Sequence, residues 1–164
     1  MRVGLGVDMH PYAAAGSERP LVLGGVRFPG EPGLVGHSDA DVVAHACADA
    51  LLGAAGLGDI GEQFPDTVDR YAGADSLVLL AESARLVREA GWEPANLDCS
   101  VVLDNPKLAP RRDEMQARLS EAVGAPVTVK GKRPERIGAL GRGEGVMALA
   151  VALIEARVEP GAGR

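Results

Sequence analysis

The sequence lacks the features that mark disulfide-rich, secreted or membrane proteins. Its 164 residues include two cysteines, Cys47 and Cys99, whose separation fits no paired-thiol motif, so we expect reduced, buried thiols without a chemical role. No apolar run approaches the roughly 18 residues of a membrane span. The N-terminal segment lacks the basic head and apolar core of a signal peptide. These absences predict a soluble, cytoplasmic protein with no membrane partner.

The chain also lacks the positive charge that nucleic-acid binding requires. Its net charge is −6, whereas a basic surface is needed to displace counterions from a phosphate backbone. Positive charge is concentrated in one segment, residues 130–142, which holds a single acid, Glu135, beside a cluster of bases: Lys130, Lys132, Arg133, Arg136 and Arg142. This segment either binds a small anionic ligand or is an ordinary solvated loop. Because the net charge is negative, we expect no nucleic-acid partner.

Alternating strand-like and helix-like segments predict an α+β fold. The length and a 46% hydrophobic share suit one domain, residues 1–158, with a disordered tail at residues 159–164. Periodicity and glycine stops predict strands at residues 2–8, 20–24, 26–28, 96–103 and 126–130, and helices ending near residue 55 and spanning residues 75–90 and 109–123. The run 146–154 is apolar on both faces, which fits a buried strand or helix, and the glycines before it favour a strand. We expect a mixed sheet with helices on one face.

The helix that ends near residue 55 carries unusual polar residues. The Ser38–Asp39 pair is a good helix N-cap, and Asp41 then lies in the first turn, near the positive end of the helix dipole. His45 and Asp49 are one turn apart on a body otherwise made of alanine, leucine and valine. Asp49 either orients His45 or is a solvated helix residue. A polar partner is expected on this face.

Three residues form a candidate metal site. Asp8 and His10 are two positions apart at the end of a predicted strand, so their side chains point to the same face. Together with His45 they would give three nitrogen and oxygen ligands, the number that a catalytic zinc site uses when its fourth position stays open. Cys47 points away from His45 around the helix. Without other information, an Asp-x-His pair at a strand end is more often an ordinary surface pair than a metal site.

Longer motifs give the chain a resemblance to a known family. The strings GVDMH, GHSDADVVAHACADALLGAAGLGDIGEQFPDT, NPKLAP and GALGRGEG occur in that order. Together they resemble the 2-C-methyl-D-erythritol 2,4-cyclodiphosphate synthase family of non-mevalonate isoprenoid biosynthesis, from residue 3 to about residue 154. The resemblance implies a four-stranded sheet with helices on one face. It also implies a homotrimer with the sheets facing its interior and active sites between subunits.

The resemblance implies two metal ions. Asp8, His10 and His45 match the family's ligands for a divalent ion, usually Zn²⁺. Glu135 matches the ligand of a second ion, Mg²⁺ or Mn²⁺, between the two substrate phosphates.

The resemblance also implies a set of substrate contacts. His37 and Ser38 match residues that hold the phosphates, and His37 is the family's transition-state-assisting histidine. The wall around the methylerythritol part matches Asp59, Gly61, Phe64, Pro65, Asp66 and Thr67. Substrate contacts are also expected from Asp8, Met9, His10 and Ile60. The loop for the cytidine diphosphate matches Leu103, Asp104, Asn105, Pro106, Lys107, Leu108 and Ala109. The loop at the subunit junction matches Lys132, Arg133, Pro134, Glu135 and Arg142. Structural alternatives remain: Asp59 and Gly61 could only end a helix, Phe64 could be core, and Lys107 could be any exposed lysine.

The chain departs from the family at two positions. Arg133 occupies the place of a threonine that polarises a phosphate, and Ala139 that of a common phenylalanine. Arginine can contact two phosphate oxygens at once, so we expect Arg133 to take over the threonine's catalytic part, beside His37 and Glu135. The loss of the aromatic side chain at residue 139 puts an apolar ligand on the trimer axis in doubt.

The implied reaction is an intramolecular phosphoryl transfer. The 2-phosphate of 4-diphosphocytidyl-2-C-methyl-D-erythritol 2-phosphate attacks its own diphosphate, which gives the cyclic diphosphate and CMP, the chemistry of a phosphorus–oxygen lyase. Two alternatives remain open at this point. One is a trimeric metal and nucleotide-diphosphate binding protein of the same fold with lost or altered chemistry. The other is a metal-dependent diphosphate hydrolase.

Overall fold

A four-stranded mixed sheet is the centre of the fold. The computed structural model describes residues 1–65, 67–68, 71 and 73–157. The strands β1 (Arg2–Pro11), β4 (Trp92–Val102), β5 (Val127–Lys132) and β6 (Gly145–Ala156) lie in the order β1-β6-β4-β5. The β1–β6 and β4–β6 pairs are antiparallel, and the β4–β5 pair is parallel. The predicted mixed sheet is confirmed, and the run 146–154 is a strand.

Helices cover one face of this sheet. The long helices are α1 (Val42–Ala55), α3 (Ser76–Glu89) and α4 (Arg112–Val123), and α4 follows a 3₁₀ turn at Ala109–Arg111. The short helices are α2 (Ile60–Gln63) and α5 (Gly138–Gly141), and a separate hairpin pairs β2 (Pro20–Leu23) with β3 (Val26–Pro32). The predicted helices and the placement of helices on one face are confirmed. None of the helices within the described residues is long and apolar enough to span a bilayer.

The other face of the sheet is open in the single chain and is apolar along β1 and β6, whereas β4 and β5 place Asp98, Thr128 and Lys130 on it. Exposed hydrophobic side chains alternate along β1, and β6 adds one more to this face: Val3, Leu5, Val7, Met9 and Val151. The intervening residues of β1 face the helices instead. Because side chains of a strand alternate between faces, the same strand supplies both an apolar outer surface and polar residues on the helical side.

Two glycines let β1 lie directly against α1. A Cβ atom on Gly6 would come 2.0 Å from the carbonyl oxygen of Ala46, and one on Gly4 would come 2.0 Å from that of Ala50. These positions therefore require glycine for close approach of strand and helix backbones. The alanine side chains of α1 are also small, so the helix backbone can approach the strand closely. This close packing brings the end of β1, with its polar residues, level with the middle of α1.

The start of α1 differs from the prediction. Its N-cap is Asp41, whose Oδ1 accepts hydrogen bonds from the backbone N–H groups of Val43 and Ala44 at 3.0 and 3.2 Å. The same carboxylate accepts from Gly24 and Gly25 at 2.8 and 2.6 Å, so it also fastens the β2–β3 turn to the helix. The predicted Ser38–Asp39 cap is wrong because both of these side chains bond to other partners.

Candidate metal centre and active site

The end of β1 and the middle of α1 bring the three predicted metal ligands together. Alternation along β1 places Asp8 and His10 on the helical side, and α1 presents His45 to them. Oδ2 of Asp8 lies 3.2 Å from Nε2 of His10 and 2.9 Å from Nδ1 of His45. One ligand atom from each residue lies within 4.8 Å of the other two. The trio has the spacing and the convergence of a metal site.

The charges of the trio are mutually stabilising. Burial alone would raise the pKa of Asp8, but hydrogen bonds from His10 and His45 and their positive charge hold it well below its usual range. Burial would lower the pKa of His45, but the hydrogen bond and the charge of Asp8 raise it above its ordinary value. Asp8 is therefore an ionised carboxylate between two imidazoles.

This donor set fits a divalent cation. One carboxylate oxygen and two imidazole nitrogens suit zinc and related transition metals, and a protein trio leaves coordination positions for water or substrate. A bound ion would replace the protons that now bridge the imidazoles and the carboxylate.

A cavity of about 570 Å³ opens in front of the trio. It is lined by ten of the predicted substrate or metal residues: Asp8, His10, His37, Ser38, His45, Ile60, Gly61, Phe64, Pro65 and Thr67. Gly36, Tyr71 and Leu79 complete the lining and were missed, because nothing in their spacing distinguishes them from loop and core residues. We call this cavity, with its metal trio, the metal half-site.

The loop that carries His37 and Ser38 is fixed from two sides. The N–H of Gly73 donates to the carbonyl of His37 at 2.8 Å, and the guanidinium of Arg19 donates to the carbonyl of Ser38. Ser38 is buried, and its Oγ lies 3.0 Å from Nε2 of His45. His37 is exposed at the cavity wall. Arg19 was missed because it lies in a segment that the sequence predicts only as a loop.

A second cavity, of about 240 Å³, lies at the loop after β4. Eight predicted residues line it: Leu103, Asp104, Pro106, Lys107, Leu108, Ala109, Lys132 and Arg133. Gly131 and Arg112 were not predicted, and Arg112 adds a fourth cation to a lining that has a single carboxylate. The Asn105–Pro106 peptide bond is cis. We call this cavity the nucleotide half-site, after the ligand that the sequence predicts for it.

Several predicted residues lie in neither half-site. Met9 points to the open face of the sheet, Pro134 is buried, and Glu135 is exposed with a positive φ of 49°. Asn105 lines a different surface depression, and its carbonyl accepts a hydrogen bond from Tyr12. Asp66 lies outside the described residues.

Three charged residues outside both half-sites have partners within the chain. Asp59 caps α2 by accepting from the N–H of Glu62 at 2.8 Å. Arg142 forms an ion pair with Glu144. Asp49 does not hydrogen-bond His45, since its Oδ1 accepts from the N–H of Ile60 at 2.8 Å. Asp49 therefore anchors α2 to α1, and the suggestion that it orients His45 is wrong.

The fold and the site together define a class of protein. It is an α+β protein with an Asp-His-His candidate metal centre set between the first strand and the first long helix. The YgbB family model matches residues 1–155. The chain belongs to the YgbB family.

Curated and solved relatives agree with this membership. The chain is 53% identical over 160 residues to the 2-C-methyl-D-erythritol 2,4-cyclodiphosphate synthase of Rubrobacter xylanophilus, covering 96% of each chain. The bifunctional IspDF of Campylobacter jejuni superposes with a TM-score of 0.89 at 39% identity, over 95% of this chain and 42% of that one. A Plasmodium falciparum IspF, described as a CDP complex, gives a TM-score of 0.82 at 28% identity, over 96% and 97% of the two chains. The predicted family is confirmed.

Proposed function

We propose that this protein is a cyclodiphosphate synthase of non-mevalonate isoprenoid biosynthesis. It converts 4-diphosphocytidyl-2-C-methyl-D-erythritol 2-phosphate to 2-C-methyl-D-erythritol 2,4-cyclodiphosphate and CMP. The observation that carries the proposal is the Asp8, His10 and His45 trio, which opens into the same cavity as His37 and Ser38. Relatives at about half identity bear the name of this synthase. The alternative, a binding protein without chemistry, is not favoured because the trio and its cavity are intact.

The reaction needs alignment more than it needs a protein nucleophile. An oxygen of the 2-phosphate forms a bond to the β-phosphorus, the bond from that phosphorus to the bridging oxygen breaks, and CMP leaves with the electron pair. This is the chemistry of a phosphorus–oxygen lyase. Because the nucleophile is already anionic and tethered to its target, catalysis comes from positioning and charge neutralisation. No serine or cysteine nucleophile is required.

The residues of the metal half-site suit this task. Asp8, His10 and His45 would hold Zn²⁺, which when bound supplies positive charge to the substrate phosphates. His37 and Ser38 lie on the same cavity and can donate hydrogen bonds to phosphate oxygens. A second ion, Mg²⁺ or Mn²⁺, near Glu135 remains part of the proposal, carried by the family resemblance alone.

The nucleotide half-site suits a cytidine diphosphate. Lys107, Arg112, Lys132 and Arg133 give it four positive charges against Asp104. The solved Plasmodium falciparum relative is described as a CDP complex, which supports a nucleotide-diphosphate ligand for this chain. Arg133 is proposed to contact the phosphates in place of the family's threonine, because a guanidinium binds two phosphate oxygens at once.

A homotrimer is proposed because one chain alone leaves the site divided. The two half-sites share no lining residue. The open face of β1 carries Val3, Leu5 and Met9 at 67, 65 and 60% exposure, which is a surface that a second copy could bury. Both observations support active sites completed between neighbouring subunits, with the sheets facing the interior. The cytoplasmic location stays a prediction.

Product analysis tests the proposed activity. Purified protein is incubated with the diphosphocytidyl substrate, Zn²⁺ and Mg²⁺, and the products are followed by ³¹P NMR. Formation of CMP together with the cyclic diphosphate supports the synthase. CMP with a linear phosphate would indicate a hydrolase instead, and binding without turnover would indicate the binding protein.

A further inference from the structure

The side of His45 that faces away from Asp8 is held by residues outside the metal trio. Nδ1 of His45 lies 2.9 Å from Oδ2 of Asp8, and Nε2 lies 2.9 Å from Oγ of Ser76. Ser76 is 1% exposed, and its hydroxyl also hydrogen-bonds Oδ1 of Asp39. We propose that Asp39 and Ser76 form a positioning relay that orients His45 towards the metal. This inference rests on the metal site proposed above.

The direction of the hydrogen bonds follows from Asp39, the last residue in the series His45, Ser76 and Asp39. An ionised carboxylate can only accept, so the hydroxyl of Ser76 must donate its proton to Asp39. The lone pairs of Ser76 Oγ are then left to accept from Nε2–H of His45. A proton fixed on Nε2 leaves Nδ1 as the nitrogen that can bind a metal. The relay thereby selects which nitrogen of His45 faces Asp8 and His10.

Asp39 is held firmly enough to set this direction. Its Oδ2 accepts from the backbone N–H of Ser76 at 3.2 Å, and its Oδ1 accepts from that of Asp41 at 3.2 Å. Its own N–H donates to the carbonyl of Ala74 at 3.0 Å. The carboxylate therefore joins the loop before α1 to the start of α3. Within the part of the chain that the structure describes, the hydrogen-bond partners found for its two oxygens are all donors, which suits Asp39 to accept from Ser76.

Ser38 is a weaker partner for the same nitrogen. Its Oγ lies 3.0 Å from Nε2 of His45, but it also accepts from the N–H of Ala40 at 3.1 Å. Among the described residues no carboxylate bonds to its hydroxyl, which lies 3.2 Å from Oγ of Ser76 and can donate to it. Ser38 lines the metal half-site, whereas Ser76 does not. We therefore assign the orienting hydrogen bond to Ser76.

Zinc affinity tests the relay without any use of enzyme activity. Zinc binding is measured by competition with a chromophoric chelator for the full-length wild type and for Ser76→Ala. Loss of a partner behind a metal-binding histidine weakens affinity by about 10- to 100-fold, which is the expected result. Asp39→Asn, which keeps the shape but adds a donor, should weaken binding in the same direction. The double variant should be little worse than the worse single variant, because both act through one hydrogen bond.

A neighbouring residue provides the matched control. Asp75 is the N-cap of α3, and its side chain accepts from the N–H of Leu77 at 2.9 Å without touching His45. Asp75→Ala should destabilise the start of α3 and leave zinc affinity near the wild-type value. Ser76→Thr keeps the hydroxyl and should retain affinity. Zinc binding by Ser76→Ala within twofold of the wild type, or equal losses in Ser76→Ala and Asp75→Ala, would overturn the relay.

Histidine NMR separates failure of the relay from failure of the metal site. In ¹⁵N-histidine-labelled protein, a hydrogen-bonded Nε2 proton of His45 should give a slowly exchanging downfield signal, identified by its loss in His45→Ala. The signal should be present with and without zinc and should disappear in Ser76→Ala. Its persistence in Ser76→Ala would contradict the relay. Absence of zinc binding by the wild type, with this signal intact, would contradict the metal site alone.

Discussion

The two half-sites are built in different ways. In the metal half-site, the ligands lie on β1 and α1, whose backbones touch through Gly4 and Gly6, and His45 is 9% exposed with both ring nitrogens bonded. In the nucleotide half-site, the side chains lie on loops or strand ends, and the cations Lys132 and Arg133 are exposed. The first is a rigid arrangement fixed by buried contacts, and the second is a charged surface.

This difference indicates that the two half-sites have different functions. Ligands held by hydrogen bonds, as His45 is, keep an ion in one geometry, which a phosphoryl transfer needs at its reacting centre. Exposed cations attract and retain an anionic ligand through charge that tolerates replacement of single residues. Substitutions should therefore have large effects in the metal half-site and small ones in the nucleotide half-site.

The largest effect is expected for His45→Ala. Removal of one of three ligands should weaken zinc binding by about 1000-fold or more and abolish nearly all activity. Metal content by atomic emission and turnover by ³¹P NMR give the two values. Cys47→Ala, on the buried opposite side of the same helix, serves as the control and should keep its zinc. Stoichiometric zinc in purified His45→Ala would refute the ligand assignment.

The second effect concerns the contact that supports the metal half-site. In Gly6→Ala the new Cβ would lie 2.0 Å from the carbonyl oxygen of Ala46, so strand and helix must separate. The free energy of unfolding should fall by about 3 kcal/mol or more, as measured by urea denaturation. Gly53→Ala, within α1 and with open space around its Cβ position, should be neutral or slightly stabilising. Equal stabilities of the two variants would show that the close approach is unimportant.

The third effect is a pH dependence of stability, which arises from Asp41. Burial, with the charge of Asp39, raises the pKa of Asp41 to about 6 despite its backbone hydrogen bonds. The folded state then binds this proton more tightly than the unfolded state, so the contribution of Asp41 to stability is largest below its ordinary pKa of 3.8 and is lost as pH rises through about 6.

The non-titrating variant Asp41→Asn isolates this contribution. The stability of the wild type relative to Asp41→Asn should fall by up to about 3 kcal/mol between pH 4 and pH 7, with the change complete slightly above pH 6. Urea denaturation of both proteins at several pH values measures the difference. A constant difference over this range would mean that the buried carboxylate keeps its ordinary pKa.

The sequence predicted the metal ligands better than it predicted the residues that hold them in place. Asp8 and His10 follow from strand alternation, and His45 stands out on an alanine-rich helix, because local geometry fixes where such side chains point. Ser76 and Arg19 reach the site only through tertiary contacts, so no local pattern identifies them. Asp49 was misjudged for the same reason, since its partner Ile60 lies beyond the end of the helix.

Element boundaries show a similar limit in the fold. The mixed sheet and the long helices follow from hydrophobic periodicity. The N-cap of α1 could not be predicted in this way. Ser38, Asp39 and Asp41 are all good capping residues, and the contact with the turn at Gly24 decides which of them faces the helix. In the nucleotide half-site, the residues lining the cavity came from family resemblance, since a lysine after a proline has no distinctive pattern of its own.

The smallest effect is expected in the nucleotide half-site, at Arg133. Arg133→Ala removes a charge-assisted contact to phosphate and should lower kcat/KM by about 10- to 100-fold. Arg133→Thr installs the residue usual in the family and should recover much of this loss, while zinc affinity stays unchanged in both variants. Arg157→Thr, at an exposed arginine near Glu93 and outside both half-sites, should match the wild type. A loss for Arg133→Ala as large as that for His45→Ala would mean that Arg133 stabilises the transition state as strongly as a metal ligand does, which would contradict the smaller part assigned to the exposed half-site.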